Sequence, residues 1–146
     1  MINKIKSYGY LFIIFLVIIF VVYFFINRSF YISITDFCTI RIVDDSIRGN
    51  KETLFQAIKL LKQKDNESYI LLCKYIDSIE ESYCPISIEN SDTFTYSKES
   101  GCYIKGSKTI NITPEKEFSE QLVQQRADTL RKYAKFSQIF WDNINK

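Results

Sequence analysis

CYIKGSKTINITPE, residues 102–115, is the stretch on which the fold turns. Cys102 to Lys105 and Lys108 to Ile112 flank Gly106 and Ser107, a two-residue connection with glycine first, which is the chemistry of a type II′ hairpin turn. In that register Tyr103 faces Ile110. Thr113, Pro114 and Glu115 then supply an N-cap, a proline at the first helical position and an early acid, so a long helix is expected from there. Val123, Ala127, Leu130, Ala134, Ser137, Trp141 and Ile144 recur at spacings of four and three, and Leu122, Tyr133, Phe136 and Phe140 widen the stripe.

Working back toward the N-terminus, Pro85 closes an expected helix over about Glu67 to Tyr83, with Tyr69, Leu72, Cys73, Ile76, Ile79 and Tyr83 on one face. Asn50 is the expected cap of an earlier helix carrying Leu54, Ile58 and Leu61, interrupted at Asp65 and Asn66. Phe37 to Val43 alternates, with Cys38, Ile40 and Ile42 on one face and Thr39 and Arg41 on the other, and reads as a strand. Residues 85 to 101 read as loop. The expectation is an α+β domain over 28–146, in which one strand plus a hairpin form a small sheet covered by three helices.

Ahead of that domain, Lys6 and Arg28 bracket twenty-one uncharged residues, and Leu11 to Ile26 is unbroken Leu, Ile, Val, Phe and Tyr. Such a block fits an uncleaved transmembrane helix over 8–27, because a signal peptide needs a shorter apolar stretch and a small-residue cleavage site. Lys4 and Lys6 before it, against Arg28 behind it, place residues 1–7 in the cytoplasm and 28–146 outside. Localisation is thus expected to be single-pass membrane, with the bilayer as the first partner.

An outward domain sits in an oxidising compartment, where four cysteines favour disulfides over metal ligation. Cys84 and Cys102 bracket a polar segment, and a bridge between them would close a loop of about 19 residues for roughly 3 kcal/mol. Cys38 and Cys73 both read as core positions, either a second bridge or two inert buried thiols.

The 146 residues contain no histidine, which excludes Ser-His-Asp and Cys-His catalysis and the histidine-bearing zinc motifs. The domain's basic and acidic side chains balance, which argues against nucleic acid as a partner. Asp44 with Asp45, and Glu80 with Glu81, fail as paired carboxylates because neighbours diverge on a strand and on a helix alike; capping or solvated roles follow. Lys105 and Lys108 face each other across the hairpin tip and could hold an anion. Of the sequons, Asn66 and Asn111 are the ones a secretory pathway could glycosylate, while Asn27 lies too near the apolar block. No metal or other cofactor is implied.

The order strand, two helices, hairpin and long helix resembles the minimal zincin-like metallopeptidase layout, whose helix after the hairpin carries His-Glu-x-x-His. Here that helix reads Gln124, Gln125, Arg126, Ala127, Asp128, so the resemblance implies at most an inactive relative. The tract Lys108 to Pro114, with Arg126-Ala127-Asp128, Lys135-Phe136-Ser137 and Phe140-Trp141, also resembles a recurrent tail in small uncharacterised membrane-anchored bacterial proteins. The expected function is a non-catalytic module binding a protein or an envelope component, with an enzyme or its inactive descendant as the alternative. Phe136, Phe140 and Trp141, clustered near the chain end, are the candidate partner interface.

Overall fold

The computed structural model describes residues 12–22, 29–86, 95–97 and 100–144. The chain divides into two compact units, Met1–Phe30 and Tyr31–Lys146. In the first unit, residues 12–22 are helical (α1) and expose apolar side chains throughout. Their length at 1.5 Å per residue is about half of a hydrocarbon core of about 30 Å. Among the described residues no helix is long and apolar enough to cross a membrane. That finding overturns the expected transmembrane helix over 8–27 and the single-pass localisation built on it. Residues 1–11 and 23–28 lie outside the described residues.

The second unit is α+β, but its sheet is larger than expected. β1 (Phe30–Ser33), β2 (Cys38–Val43), β3 (Ser78–Glu81), β7 (Thr109–Ile112) and β6 (Gly101–Tyr103) form one sheet in the order β1-β2-β3-β7-β6. β2 and β3 pair in parallel, as do β3 and β7, while β6 and β7 are antiparallel. β4 (Cys84–Ile86) and β5 (Thr95–Ser97) make a separate antiparallel pair. Between β2 and β3 run α2 (Lys51–Lys64) and α3 (Asn66–Tyr75), and α4 (Glu120–Ile144) packs on both. The core lies between sheet and helices: Ile40, Ile42, Ile79, Ile110 and Ile112 meet Leu54, Ile58, Leu72, Ala127 and Leu130, all essentially inaccessible.

Local signals explain most of these elements. β2 alternates buried and exposed residues as its sequence requires. Asn50 caps α2, its side chain accepting from the Glu52 N–H. Tyr103 lies opposite Ile110 in the hairpin. The turn there differs in type, because Ser107 N–H donates to Ile104 C=O and Gly106 has φ +86°. Gly106 is therefore the second central residue, the position where a type II turn needs positive φ, and not the first as in type II′. The last helix also starts later than Thr113 and Pro114 suggest: Ser119 is the working cap, its Oγ accepting from Leu122 N–H at 3.1 Å.

The main correction concerns residues 76–83. The expected helix to Tyr83 ends at Tyr75, and the segment after it becomes β3, the middle strand of the sheet. Asp77 and Ser78 N–H both donate to Lys108 C=O, and Asp77 C=O accepts from Arg41 N–H. Strand periodicity puts Ile79 and Glu81 on the core face, so a carboxylate occupies a position where an apolar residue would have revealed the strand. Glu81 is not solvated as a helical neighbour of Glu80 would be. Its side chain is fully buried and meets the equally buried Arg126 of α4, Oε1 to Nη2, at 2.7 Å.

That pair is built into the loop before α2. Asn50 N–H donates to Glu81 Oε1 at 3.0 Å, and Arg126 Nη1 donates to Asn50 C=O at 3.1 Å. A Cβ on Gly49 would lie 2.0 Å from Glu81 Oε2 and 2.8 Å from Asp45 C=O, so only glycine lets the chain pass there. Asp44 and Asp45 serve the same loop as expected, Asp44 pairing with Lys51 and Asp45 accepting from Ile47 and Arg48 N–H. Those two amide bonds hold the Asp45 carboxyl below its ordinary range.

At the far end of the sheet, a four-residue turn, Ile34–Phe37, folds β1 back on β2, so the two run antiparallel. Phe37 sits at φ +52°, a left-handed conformation that costs an L-residue roughly 1–2 kcal/mol. Asp36 secures it, accepting from Lys62, from Ser33 Oγ at 2.6 Å and from Tyr69 Oη at 3.0 Å. The Lys62 ammonium, then the Ser33 hydroxyl, hold the Asp36 carboxyl well below the usual carboxylate range, and the same bond raises Lys62.

Two outcomes test this account. Arg126→Met should destabilise the domain by about 3–5 kcal/mol in urea titrations, because Glu81 is left buried and unpaired, whereas Glu81→Leu/Arg126→Met should recover most of that loss. The Asp36 contribution is complete above the unfolded carboxylate value of about 3.9 and is lost as pH falls through its lower folded value. That of Lys62 is complete below about 10.4 and is lost as pH rises through its higher folded value. Amide exchange at Phe37, corrected for intrinsic rate, should therefore be protected evenly between about pH 5 and 9. Asp36→Asn should remove that protection at pH 7.

Candidate interaction surface

Both cysteine pairs are joined. Cys38 of β2 bonds Cys73 of α3 with Sγ atoms 2.07 Å apart, and Cys84 of β4 bonds Cys102 of β6 at 2.19 Å. The question left open for Cys38 and Cys73 is answered in favour of a bridge, and no cysteine is free. Because Cys102 lies opposite Asn111, while Ile110 and Ile112 face the helices, the pleat puts Cys102 on the other face of the sheet. One bridge fastens the sheet to α3, and the other ties β4 to the strand that leads into the hairpin. Part of the segment enclosed by Cys84 and Cys102 lies outside the described residues.

The hairpin tip packs on the C-terminal half of α4. A Cβ on Gly106 would stand 3.4 Å from the Phe140 ring, so the turn presses directly on that side chain. Phe140 and Trp141 meet edge to face, centroids 5.3 Å apart at 83°. Lys105 and Lys108, the pair expected across the hairpin tip, each stand over a ring: Lys105 Nζ lies 5.7 Å from the Phe140 centroid and Lys108 Nζ 5.8 Å from that of Trp141. Lys108 also pairs with Asp77 at 3.6 Å. Further along, Lys132 Nζ stands 5.1 Å from Tyr133 and 5.9 Å from Phe136, and Lys74 Nζ stands 4.8 Å from Tyr75. Ring faces attract ammonium groups through their quadrupole, by about 0.5–1 kcal/mol at exposed sites.

Of the three aromatics expected at an interface, Phe136 is exposed at 47%, while Phe140 and Trp141 are half-buried. Trp141 is neither a core residue nor a free anchor; it backs the Phe140 ring on which the hairpin tip rests, with Lys108 over its own ring, and its Nε1 is buried with no hydrogen-bond partner among the described residues. Tyr133 Oη donates to Gly101 C=O at 2.6 Å, and Tyr75 Oη to Asp142 Oδ1 at 2.7 Å, which pin α4 to β6 and to the end of α3. Ile104, next to Lys105, and Ile139, next to Phe140, are also exposed. The aromatic cluster was legible in the helical stripe; the lysines over it were not, since no helical or strand spacing connects Lys105 with Phe140.

Other candidate residues have structural occupations. Gln124 Nε2 donates to the Asp128 carboxylate one turn on, and between them Arg126 is taken by Glu81. Asn111 is 7% exposed in β7, which closes that sequon to a glycan, whereas Asn66 is exposed at the start of α3. Asn27 lies outside the described residues. Among the described residues no three His, Cys, Asp or Glu side chains gather as metal ligands would. No protein-family model, curated protein or solved structure matches the chain.

Trp141→Ala should cost about 1–3 kcal/mol, below the range for a fully buried tryptophan, and should free the hairpin tip. Faster amide exchange at Gly106 and Ser107 than in the parent chain is the readout.

Proposed function

We propose that residues 31–146 form a non-catalytic binding module of an oxidising compartment, which docks a protein partner bearing carboxylates on the lysine-aromatic end of the domain. The observation that carries this reading is the set of four lysines, Lys74, Lys105, Lys108 and Lys132, each set over an aromatic ring of α4 or of the end of α3, with Lys132 also beside the exposed Phe136. It stands out against the rest of the unit. Without Lys4, Lys6 and Arg28 the chain has 16 basic and 17 acidic side chains, so this local excess is set against a slightly acidic whole. Ring contacts limit the rotamers of the lysines before any partner arrives, which reduces the ordering cost of binding. Exposed aromatic and aliphatic surface between them supplies the apolar area a charged patch alone lacks.

Carboxylates suit this surface better than a phosphate backbone. The cations are all lysines, point charges without the bidentate fork of arginine, and Asp77 and Asp142 sit among them, where a continuous polyanion would meet repulsion. The two disulfides support the oxidising compartment, since such bridges persist where thiols are not kept reduced.

Binding of the full chain to an immobilised peptide that carries single glutamates spaced by neutral residues tests the surface. Lys105→Glu/Lys108→Glu should weaken it by about tenfold while circular dichroism stays unchanged, and binding should fall as salt rises from about 0.05 to about 0.3 M. Equal binding by the parent and the doubly reversed chain would remove the proposal.

A further inference from the structure

The β1 edge of the sheet is built in a way that exposed edges usually avoid. Among the described residues β1 ends the strand order, so half of its backbone N–H and C=O groups point away from β2. Natural sheets blunt such edges with lysine, proline, bulges or inward charges. Here Phe30-Tyr31-Ile32-Ser33 and the following Ile34 and Thr35 contain no charge, proline or glycine. Ile32 is 44% exposed, Ile34 82% and Phe37 94%. Phe37, the most exposed of these, is also the residue held at φ +52°.

That exposure is not looseness. Tyr31 is buried, packing near Phe55 and edge-on to Tyr69, so the inner face of β1 is fixed to the helices. Asp36 ties the turn to Lys62, Ser33 and Tyr69, and Cys38, next to Phe37, is bonded to Cys73. Strained, over-determined conformations of this kind gather where a surface must be presented ready-made.

We propose that β1 is a self-association edge, pairing antiparallel with β1 of a second copy of this chain. A two-fold axis through Ile32 sets Ile32 against its own copy and Ile34 opposite Phe30 on the same face, a ladder of apolar cross-strand pairs. Identical surfaces bring like charge against like, so self-pairing needs a neutral patch; residues 29–35 are neutral, whereas the lysine-aromatic end would repel its own copy. Charge thus separates the two surfaces by partner, a second copy at β1 and an acidic protein at α4. A short strand with few exposed side chains gives an interface at the small end of specific contacts, so the dimer forms and dissociates with concentration.

The test uses the full chain with single cysteines introduced at Ile32→Cys, and at Ile70→Cys and Thr39→Cys as exposed controls on α3 and β2. Mild oxidation should join Ile32→Cys chains to covalent dimers at least tenfold faster than either control. Because α1 also exposes apolar side chains, the position dependence, and not the mass of the assembly alone, is the readout. Equal rates at all three positions would overturn the proposal. Ile34→Lys, with unchanged circular dichroism, should slow the Ile32→Cys crosslink by a similar factor; an unaffected rate would equally overturn it.

Discussion

A carboxylate in the middle of a five-stranded sheet is the constraint that organises this domain. Glu81 cannot be buried alone, since an unpaired charge in a low-dielectric interior costs several kcal/mol, and Arg126 is the group that meets it. Meeting it requires β3 to be central, α4 to cross the sheet at one height, and the loop at Gly49 and Asn50 to close around both. Asn50 is the hinge of that arrangement: its N–H serves Glu81, its carbonyl serves Arg126, its side-chain oxygen caps α2, and its side-chain amide reaches Lys116 C=O. Apolar side chains of the same size would hold the layers together at least as well. What the pair adds is register, because a sheet shifted by one residue would turn Glu81 to solvent and strand Arg126.

Around this centre the covalent bonds divide the work. Cys38–Cys73 joins β2 to α3 on the core side, closing a long loop worth about 4 kcal/mol on the chain-entropy model, and Cys84–Cys102 holds the opposite face near the hairpin. The two bridged regions carry the two exposed surfaces. The hairpin that follows Cys102 presents lysines over the rings of α4, and the turn before Cys38 presents Ile34 and Phe37. A small unit that spends part of its core on an ion pair gains from bridges at both places.

Legibility in the sequence followed how well one periodicity excluded the other. β2 was plain because Cys38, Ile40 and Ile42 alternate with Thr39 and Arg41, and α2 was plain because Asn50 caps an unambiguous apolar stripe. β3 was hidden for a physical reason: Ile76, Ile79 and Tyr83 fall at helical spacing, while the strand's own alternation has Glu81 where an aliphatic belongs. The start of α4 was obscured by competition between two sets of start signals, Thr113 with Pro114 and Ser119 with the turn that follows. β1 escaped notice because its turn contains no glycine or proline; Phe37 takes the left-handed place, held there by Asp36 contacts that come from distant Lys62 and Tyr69. Most rings of the proposed docking surface, and Lys132 with them, lay on α4 and could be read, whereas Lys105 and Lys108 arrive from the hairpin and Lys74 with Tyr75 from α3.

The parallel pairing of β3 on both sides has a consequence for how the chain is made. Its partners β2 and β7 lie far from it in sequence on either side, and Arg126 comes later still. As the polypeptide emerges from N- to C-terminus, β2, α2, α3 and the Cys38–Cys73 bridge can assemble early, but β3 then carries a carboxylate with no cation to receive it. The middle strand can therefore close with its charge met only after the chain has been made past Arg126, which orders β3 behind α4 in the assembly of the sheet. A single arginine thus sets the order in which distant parts of the chain can be joined.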